Sequence, residues 1–249
     1  AYVAVWDNGV AVFKLGRDYT WTNDLGGDFI DPNNWDPMGW PDVFDRAVFN
    51  PPAMYSVAMP DDRDMVNDQI LVNNSEVTLD LNGRMYTLNH QWDQTPSVAI
   101  ADDSTSETWG RLSITDSRGG GNVAARELEL GRWFGNTGYL DVSGATWSAA
   151  DHFLAIGVAG EGHLFVTDGA TVDYRYGWLG YHAGSQGTVD VWSSQWRLGL
   201  DQEWVVGREG YGVMTLDAGS DGQCGQLVLG QQSSRSEERR VGKEGRSRW

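Results

Sequence analysis

The chain of 249 residues carries 35 acidic and 18 basic side chains, which give it a formal net charge of −17 at pH 7. This charge repels nucleic-acid phosphates and anionic lipid headgroups, and no apolar run reaches the roughly 18 residues that a membrane helix needs. We therefore expect neither nucleic-acid binding nor direct membrane insertion, and the one cysteine, Cys224, excludes an intramolecular disulfide.

The first part of the chain, residues 1–67, is rich in Asp, Asn, Pro and Trp and lacks the repeat that follows. We predict that it folds as an irregular cap, because the open end of a stacked sheet is an unpaired edge that must be covered. The opening segment AYVAVWDNGV has neither a basic nor a long apolar region, so no signal peptide is visible in this chain.

A repeated pattern, G-x-L-x-V or a close variant, governs the chain from residue 110 onward. Its glycines are Gly110, Gly138, Gly162, Gly187 and Gly212, which are 28, 24, 25 and 25 residues apart. A second column of glycines ends short apolar segments at Gly131, Gly157, Gly180, Gly207 and Gly230. Two interleaved columns with the same mean spacing of about 25 residues indicate an internal structural repeat.

Each repeat alternates apolar and polar residues with period two, which is typical of a half-buried strand; Leu164 and Val166 are predicted to point inward and Phe165 outward. A unit of about 25 residues cannot bury its apolar face alone, whereas stacked coils can. We predict an all-β fold, a parallel right-handed β-solenoid over residues 68–232, with two short strands per coil and irregular coils over 68–109.

The sequence also resembles a family of bacterial proteins. The segments TWTNDLGGDFIDPNNWDP at 20–37 and PDVFDRAVFN at 41–50, followed by the G-x-L-x-V coils, are similar to secreted or surface β-solenoid proteins of bacteria. These include autotransporter-passenger-like, PEP-CTERM-type and dockerin-bearing proteins. The resemblance covers about residues 20–230 and implies a secreted or cell-surface location, associated with the outer membrane, while the mode of attachment stays open.

The last segment, residues 233–249, differs from the body, because RSEERRVGKEGRSRW at 235–249 holds six of the eighteen basic residues of this acidic chain. We predict that it is disordered. It resembles read-through from adapter or vector DNA, so we exclude it from the interpretation of the fold.

No catalytic, cofactor-binding or metal-binding motif is present. The four histidines lack the partners of an H-E-x-x-H or C-x-x-C site, and GSQG at 184–187 lacks the spacing of a serine-nucleophile elbow. Asp141 and Asp190 share one outward file, but a Ca²⁺ ion needs six or more oxygen ligands, so we interpret these carboxylates as solubilising. We assign no catalytic residue, no metal and no cofactor.

The aromatic residues give the best functional indication. Strand alternation places Phe165, Trp178 and Trp192 on the outer surface, and Trp147 and Trp196 in the core. Exposed rings on a rigid sheet can stack against sugar rings. We therefore predict Phe165, Trp178 and Trp192 as candidate ligand-binding residues, with a polysaccharide or another cell-surface glycan as the partner.

These observations favour a non-enzymatic extracellular or cell-surface β-solenoid with a structural or adhesive role. The alternative is a carbohydrate-active enzyme of the right-handed β-helix type, either a polysaccharide lyase or a hydrolase. The two hypotheses differ in a feature that a structure can reveal: an enzyme requires a groove in which two or more carboxylates and a basic residue converge. The sequence leaves the oligomeric state and the ligand open.

We predict that deletion of residues 235–249 leaves thermal stability unchanged, because this segment carries no part of the repeat. Thermal unfolding of the truncated and full-length chains, followed by circular dichroism, tests this. A fall of several degrees in Tm would show that the segment packs on the fold.

Overall fold

The computed structural model describes the backbone of residues 2–6, 9–13, 16–90, 95–199 and 202–230. Side chains are described from residue 16 onward, apart from those of Ala150 and Asp151. The predicted disordered tail at 233–249 lies outside the described residues.

The regular secondary structure of the described residues is almost entirely β, as predicted. A single 3₁₀ helix, Pro32–Asn34, interrupts its strands and is capped by the Asp31 carboxylate, which accepts a hydrogen bond from the Asn33 amide at 2.9 Å. In chain order the strands are β1 Tyr2–Trp6, β2 Gly9–Phe13, β3 Asp18–Trp21, β4 Gly27–Asp28, β5 Trp35–Asp36, β6 Arg46–Phe49, β7 Met54–Ala58, β8 Met65–Asn67, β9 Gln69–Val72, β10 Glu76–Asp80, β11 Met85–Leu88, β12 Val98–Ile100, β13 Trp109–Thr115, β14 Asn122–Ala125, β15 Leu128–Leu130, β16 Thr137–Ser143, β17 Thr146–Ile156, β18 Glu161–Thr167, β19 Thr171–Leu179, β20 Gln186–Val191, β21 Gln195–Leu198, β22 Glu203–Val206, β23 Tyr211–Leu216, β24 Asp221–Gln223 and β25 Gln226–Leu229.

Strands β1 and β2 form a separate antiparallel pair, and β5 pairs antiparallel with β3. The other strands stack in parallel as a β-solenoid of about eight turns, with about 25 residues between equivalent positions. Each full coil passes through three ladders, which we call the first, second and third faces. The first face contains β4, β7, β10, β13, β16, β18, β20 and β23. The second face contains β8, β11, β14, β21 and β24, and the third contains β3, β6, β9, β12, β15, β22 and β25.

Two long strands, β17 and β19, each run through both the second and the third face. The prediction of two strands per coil was therefore wrong, because it took the second face for part of a turn. The second-face segments are short, and most of them start two residues after a turn glycine, as with Gly144 before β17 and Gly169 before β19. Their sequence resembles the end of a turn more than the start of a strand.

The predicted register is confirmed on the first face. Gly138, Gly162, Gly187 and Gly212 lie opposite one another in successive strands. Leu164 pairs with Leu140 and Val189 on its two sides, and its side chain is 1% exposed. Phe165 points outward and is half-buried. Matching apolar side chains thus form continuous columns inside the solenoid, as the repeat requires.

The second column of glycines marks the corner between the third and first faces. All five have positive φ, between 59° and 73°. A Cβ atom on Gly157 would also lie 1.9 Å from the carbonyl oxygen of Gln186 in the next coil. Both the backbone conformation and the close approach of the next coil therefore demand glycine here.

The large aromatic residues predicted to fill the core do so. Trp147 and Trp196 are 0% and 1% exposed, and the Trp147 indole N–H donates to the Tyr174 hydroxyl at 2.5 Å. In the third face, Gly177 lies opposite Trp204 of the next coil. A Cβ atom on Gly177 would lie only 2.2 Å from the Trp204 ring, so the missing side chain of one coil makes room for the indole of the next.

The two ends of the solenoid differ. At the N-terminal end, Trp21 packs edge-to-face on Trp35 with ring centroids 5.0 Å apart, and both side chains are buried. Parallel pairing is already present before residue 67, because β6 pairs with β9 and β7 with β10. Among the described residues, β23, β24 and β25 are paired on one side only, and Leu216 and Leu229, which occupy inward register positions, are 38% and 60% exposed.

The alternation of the first face gives a matched pair of substitutions. We predict that Leu164→Ala lowers the free energy of unfolding by about 2–5 kcal/mol, because it opens a cavity in a stacked column. Phe165→Ala, one residue further on and facing outward, should cost less than half as much. Urea unfolding followed by circular dichroism measures both values, and equal losses would contradict the assigned register.

Candidate functional site

The three predicted ligand-binding residues lie in separate places. Trp178 is on the outer side of the third face in β19, and Phe165 is on the outer side of the first face in β18. Trp192 follows β20 at the corner before the second face and is 54% exposed. No ring contact joins any two of these three side chains, so the structure does not bring them together as one site.

Trp178 is the centre of a larger cluster, which we call the aromatic patch: Phe153, Tyr176, Trp178 and Tyr181. The Trp178 ring centroid is 5.6 Å from that of Phe153, 5.4 Å from that of Tyr176 and 5.2 Å from that of Tyr181. All four side chains are partly exposed. Edge-to-face and tilted contacts of this kind hold the rings in fixed relative orientations.

A cation flanks the aromatic patch. The Arg208 guanidinium lies 4.2 Å from the ring centroid of Tyr181 and 5.8 Å from that of Trp178. Its charge is attracted to the electron-rich ring faces, and its planar group fixes one side of the patch. His182 packs its ring edge-to-face on Tyr181 at 4.7 Å on another side.

The local sequence explains why simple alternation missed most of the patch. In β19, Val172 and Tyr174 point inward on the second face, and Gly177 and Leu179 point inward on the third. The phase of alternation therefore shifts by one residue at the bend between the faces. This shift turns Tyr176 and Trp178 outward side by side, although one unbroken period counted from Val172 and Tyr174 would have placed both rings inside.

The surroundings of Phe165 on the first face are polar and already paired. Arg111 binds the Asp141 carboxylate with two hydrogen bonds, at 2.6 and 3.0 Å. Tyr139 stacks on His163 with ring centroids 4.8 Å apart, and burial lowers the pKa of His163. Phe165 lies beside Asp141 in the same ladder, so it contributes a single ring to a face of satisfied polar groups.

A second group of interest lies on the third face, where Glu129, Asp102 and Arg132 converge. Arg132 Nε is 3.1 Å from Glu129 Oε2, and Arg132 Nη1 is 3.4 Å from Asp102 Oδ2. The Trp133 indole N–H donates to the other Asp102 oxygen at 2.6 Å. The Glu129 and Asp102 side chains are 14% and 16% exposed.

Within this group, the Glu129 carboxyl has a raised pKa. Burial raises its pKa to about 7; Arg132 opposes this rise, while Asp102 and Glu127 add to it. Arg132 is close in distance, but its N–H is not aligned on the carboxylate, and Glu129 Oε2 accepts no hydrogen bond in the described structure. The raised pKa of Glu129 could not be predicted from sequence, since a glutamate between two leucines of a strand occupies an ordinary outward position.

The described residues contain no group of three or more His, Cys, Asp or Glu side chains that could hold a metal ion. Within the same part of the chain, no helix is long and apolar enough to cross a membrane.

Comparison with known proteins gives no relative: no protein-family model matches the chain, and neither a curated protein nor a solved structure shows significant similarity to it.

The burial of Glu129 predicts a specific pH dependence of stability. The folded state holds the Glu129 proton up to a pH of about 7, whereas the unfolded chain releases it near 4.5, so wild-type stability should fall as the pH rises through this window. Glu129→Gln should therefore be more stable than wild type at pH 8, and this advantage should shrink towards pH 4.5. Thermal unfolding at both pH values measures it, and an advantage independent of pH would contradict the raised pKa.

Proposed function

We propose that this protein is a non-enzymatic β-solenoid that lies outside the cell or on its surface and contacts glycans through the aromatic patch. The observation that carries the proposal is a cluster of four partly exposed rings, Trp178 and the three rings in contact with it, at the third face of a regular parallel sheet. Apolar C–H groups of a sugar ring pack well against such ring faces.

The scaffold under the patch favours binding without rearrangement. Phe153 and Tyr176 lie opposite each other in β17 and β19, and Trp178 lies between Ala155 and Val205 in the adjacent strands. Strands paired on both sides hold these rings in place before any ligand arrives. A preorganised site loses less conformational entropy on binding than a flexible loop does.

The charge of the chain narrows the class of glycan. With a net charge of −17, the protein repels polyanionic polysaccharides at long range, although the Arg208 guanidinium flanks the aromatic patch. Neutral polysaccharides avoid this repulsion. We infer that the partner is a neutral surface polysaccharide, and that the role is structural or adhesive.

The extracellular location rests on sequence. The coils and the segments at 20–37 and 41–50 are similar to secreted or surface solenoids of bacteria. The single cysteine, Cys224, fits a bacterial surface protein built without disulfides and a cytosolic protein equally, so the location rests on the resemblance alone.

One observation favours the alternative, a carbohydrate-active enzyme. Glu129, Ala155 and Trp178 are consecutive members of one outward ladder, so the Glu129 carboxylate lies two strands from Trp178. Glu129 with its raised pKa and Asp102 would be the two carboxylates of a hydrolase. Both are ion-paired to Arg132, which argues for a structural role. Release of reducing ends from neutral polysaccharides, lost in Glu129→Gln, would establish the enzyme.

The glycan-binding proposal is tested by substituting the central ring. We predict that Trp178→Ala weakens retention in affinity electrophoresis through neutral β-glucan, xylan or mannan gels by roughly tenfold, the equivalent of about 1.4 kcal/mol. Trp192→Ala removes an isolated exposed ring and should weaken retention less.

Unchanged Tm values would show that both variants are folded. Equal retention of wild type and Trp178→Ala in every gel would contradict a role of the aromatic patch in binding.

A further inference from the structure

The turns that connect the third face to the first differ in length. We call them corner turns; each runs from a glycine of the second column to the glycine that begins a first-face repeat. The corner turns at 131–138 and 180–187 have eight residues, whereas those at 157–162 and 207–212 have six. The turn at 157–162 is therefore two residues shorter than the turns on both sides of it.

Backbone hydrogen bonds keep the ends of these turns in register. The Glu161 amide donates to the Asn136 carbonyl at 2.8 Å, and the Gln186 amide donates to the Gly160 carbonyl at 3.0 Å. Since the ends are fixed, the two additional residues of each longer turn must protrude. A cleft remains above the short turn, between the protruding parts of its neighbours.

The corner cleft combines an aromatic wall with a polar rim. Its lining includes Phe134, Asn136, Gly160, Glu161 and Gly184. Phe134 is 84% exposed, although it is a large apolar side chain. The floor at Gly160 is tight, because a Cβ atom there would lie 2.3 Å from the Asn136 carbonyl oxygen. Glycine at this position therefore lets the short turn pack directly against the backbone of the preceding turn.

We propose that the corner cleft is a binding subsite for one neutral pyranose unit, with the sugar stacked on Phe134 and its hydroxyls bound by Glu161. The inference deepens the proposed function, because it takes its ligand class from there. Gln186 donates a hydrogen bond to the Glu161 carboxylate at 3.3 Å, which orients that group at the rim. The second carboxylate oxygen of Glu161 is then the acceptor for sugar hydroxyls.

Size and charge both fit this occupant. The two longer turns are two strand spacings apart, or about 9.6 Å, which leaves room for one saturated ring against the Phe134 face. A carboxylate at the rim disfavours acidic sugars, since two like charges would be brought together. The cleft opens at Gly184, where an added Cβ would meet no atom within 4 Å, so a glycan chain can extend from the bound unit.

The experiment uses the full chain carrying Trp178→Ala, so that binding at the aromatic patch is already weakened. Saturation-transfer difference NMR with cellobiose, maltose and N,N′-diacetylchitobiose measures binding of a neutral disaccharide. We expect at least one of them to bind. Addition of Phe134→Ala should raise its Kd at least fivefold, and Phe44→Ala, which removes an exposed ring remote from the cleft, should leave it unchanged.

A second variant fills the cleft without removing the ring. Insertion of Ser-Gly between Val158 and Ala159 lengthens the short turn to eight residues and should abolish disaccharide binding while Phe134 stays in place. The inference is overturned if none of the three disaccharides binds, or if Phe134→Ala binds them like its parent. If Phe134 matters for disaccharides but Trp178→Ala leaves polysaccharide retention unchanged, the subsite stands and the role of the aromatic patch falls.

Discussion

The structure depends on one constraint, that equivalent positions of successive coils lie directly above one another. A strand in a parallel ladder presents the same side of its backbone at the same height in each coil, so an inward position stays inward along the whole solenoid. Leu140, Leu164 and Val189 show the result, a column of branched apolar side chains in continuous contact. Stability then comes from contacts between neighbouring coils, since one coil alone has nothing against which to bury its apolar side.

This constraint also determines where the surface is free to vary. A side chain inside the solenoid must pack against the equivalent side chains of the coils on both sides. An outward side chain or a corner turn is free of this packing constraint. The aromatic patch and the corner cleft both use this freedom: the first replaces outward residues in β17 and β19, and the second alters the length of a turn. Both features are thus local departures from the repeat, on a surface that the repeat keeps rigid.

The repeat itself could be predicted from sequence because it depends on local signals that recur. Glycines with positive φ and period-two alternation were sufficient to orient Leu164 and Phe165 correctly. The second face was missed because its strands are short and directly follow a turn. Tyr176 and Glu129 were missed for a different reason: the orientation of Tyr176 depends on a bend between faces, and the raised pKa of Glu129 depends on how deeply the folded chain buries its carboxyl group. The period-two alternation of apolar residues contains neither piece of information.

The contact between Gly177 and Trp204 has a consequence for how the number of coils can change. Repeat proteins commonly lengthen or shorten by duplication or loss of whole units, which is harmless only if any unit can follow any other. Here the coil that contains Gly177 has no side chain at that position, and the Trp204 indole of the next coil fills the space. The Gly177 coil therefore packs well only beneath a coil that supplies such an indole. Duplicating the Trp204 unit would set an indole against an indole, and losing it would leave a hole above Gly177. At this junction the order of units is therefore fixed, and gain or loss of units is confined to the remaining junctions.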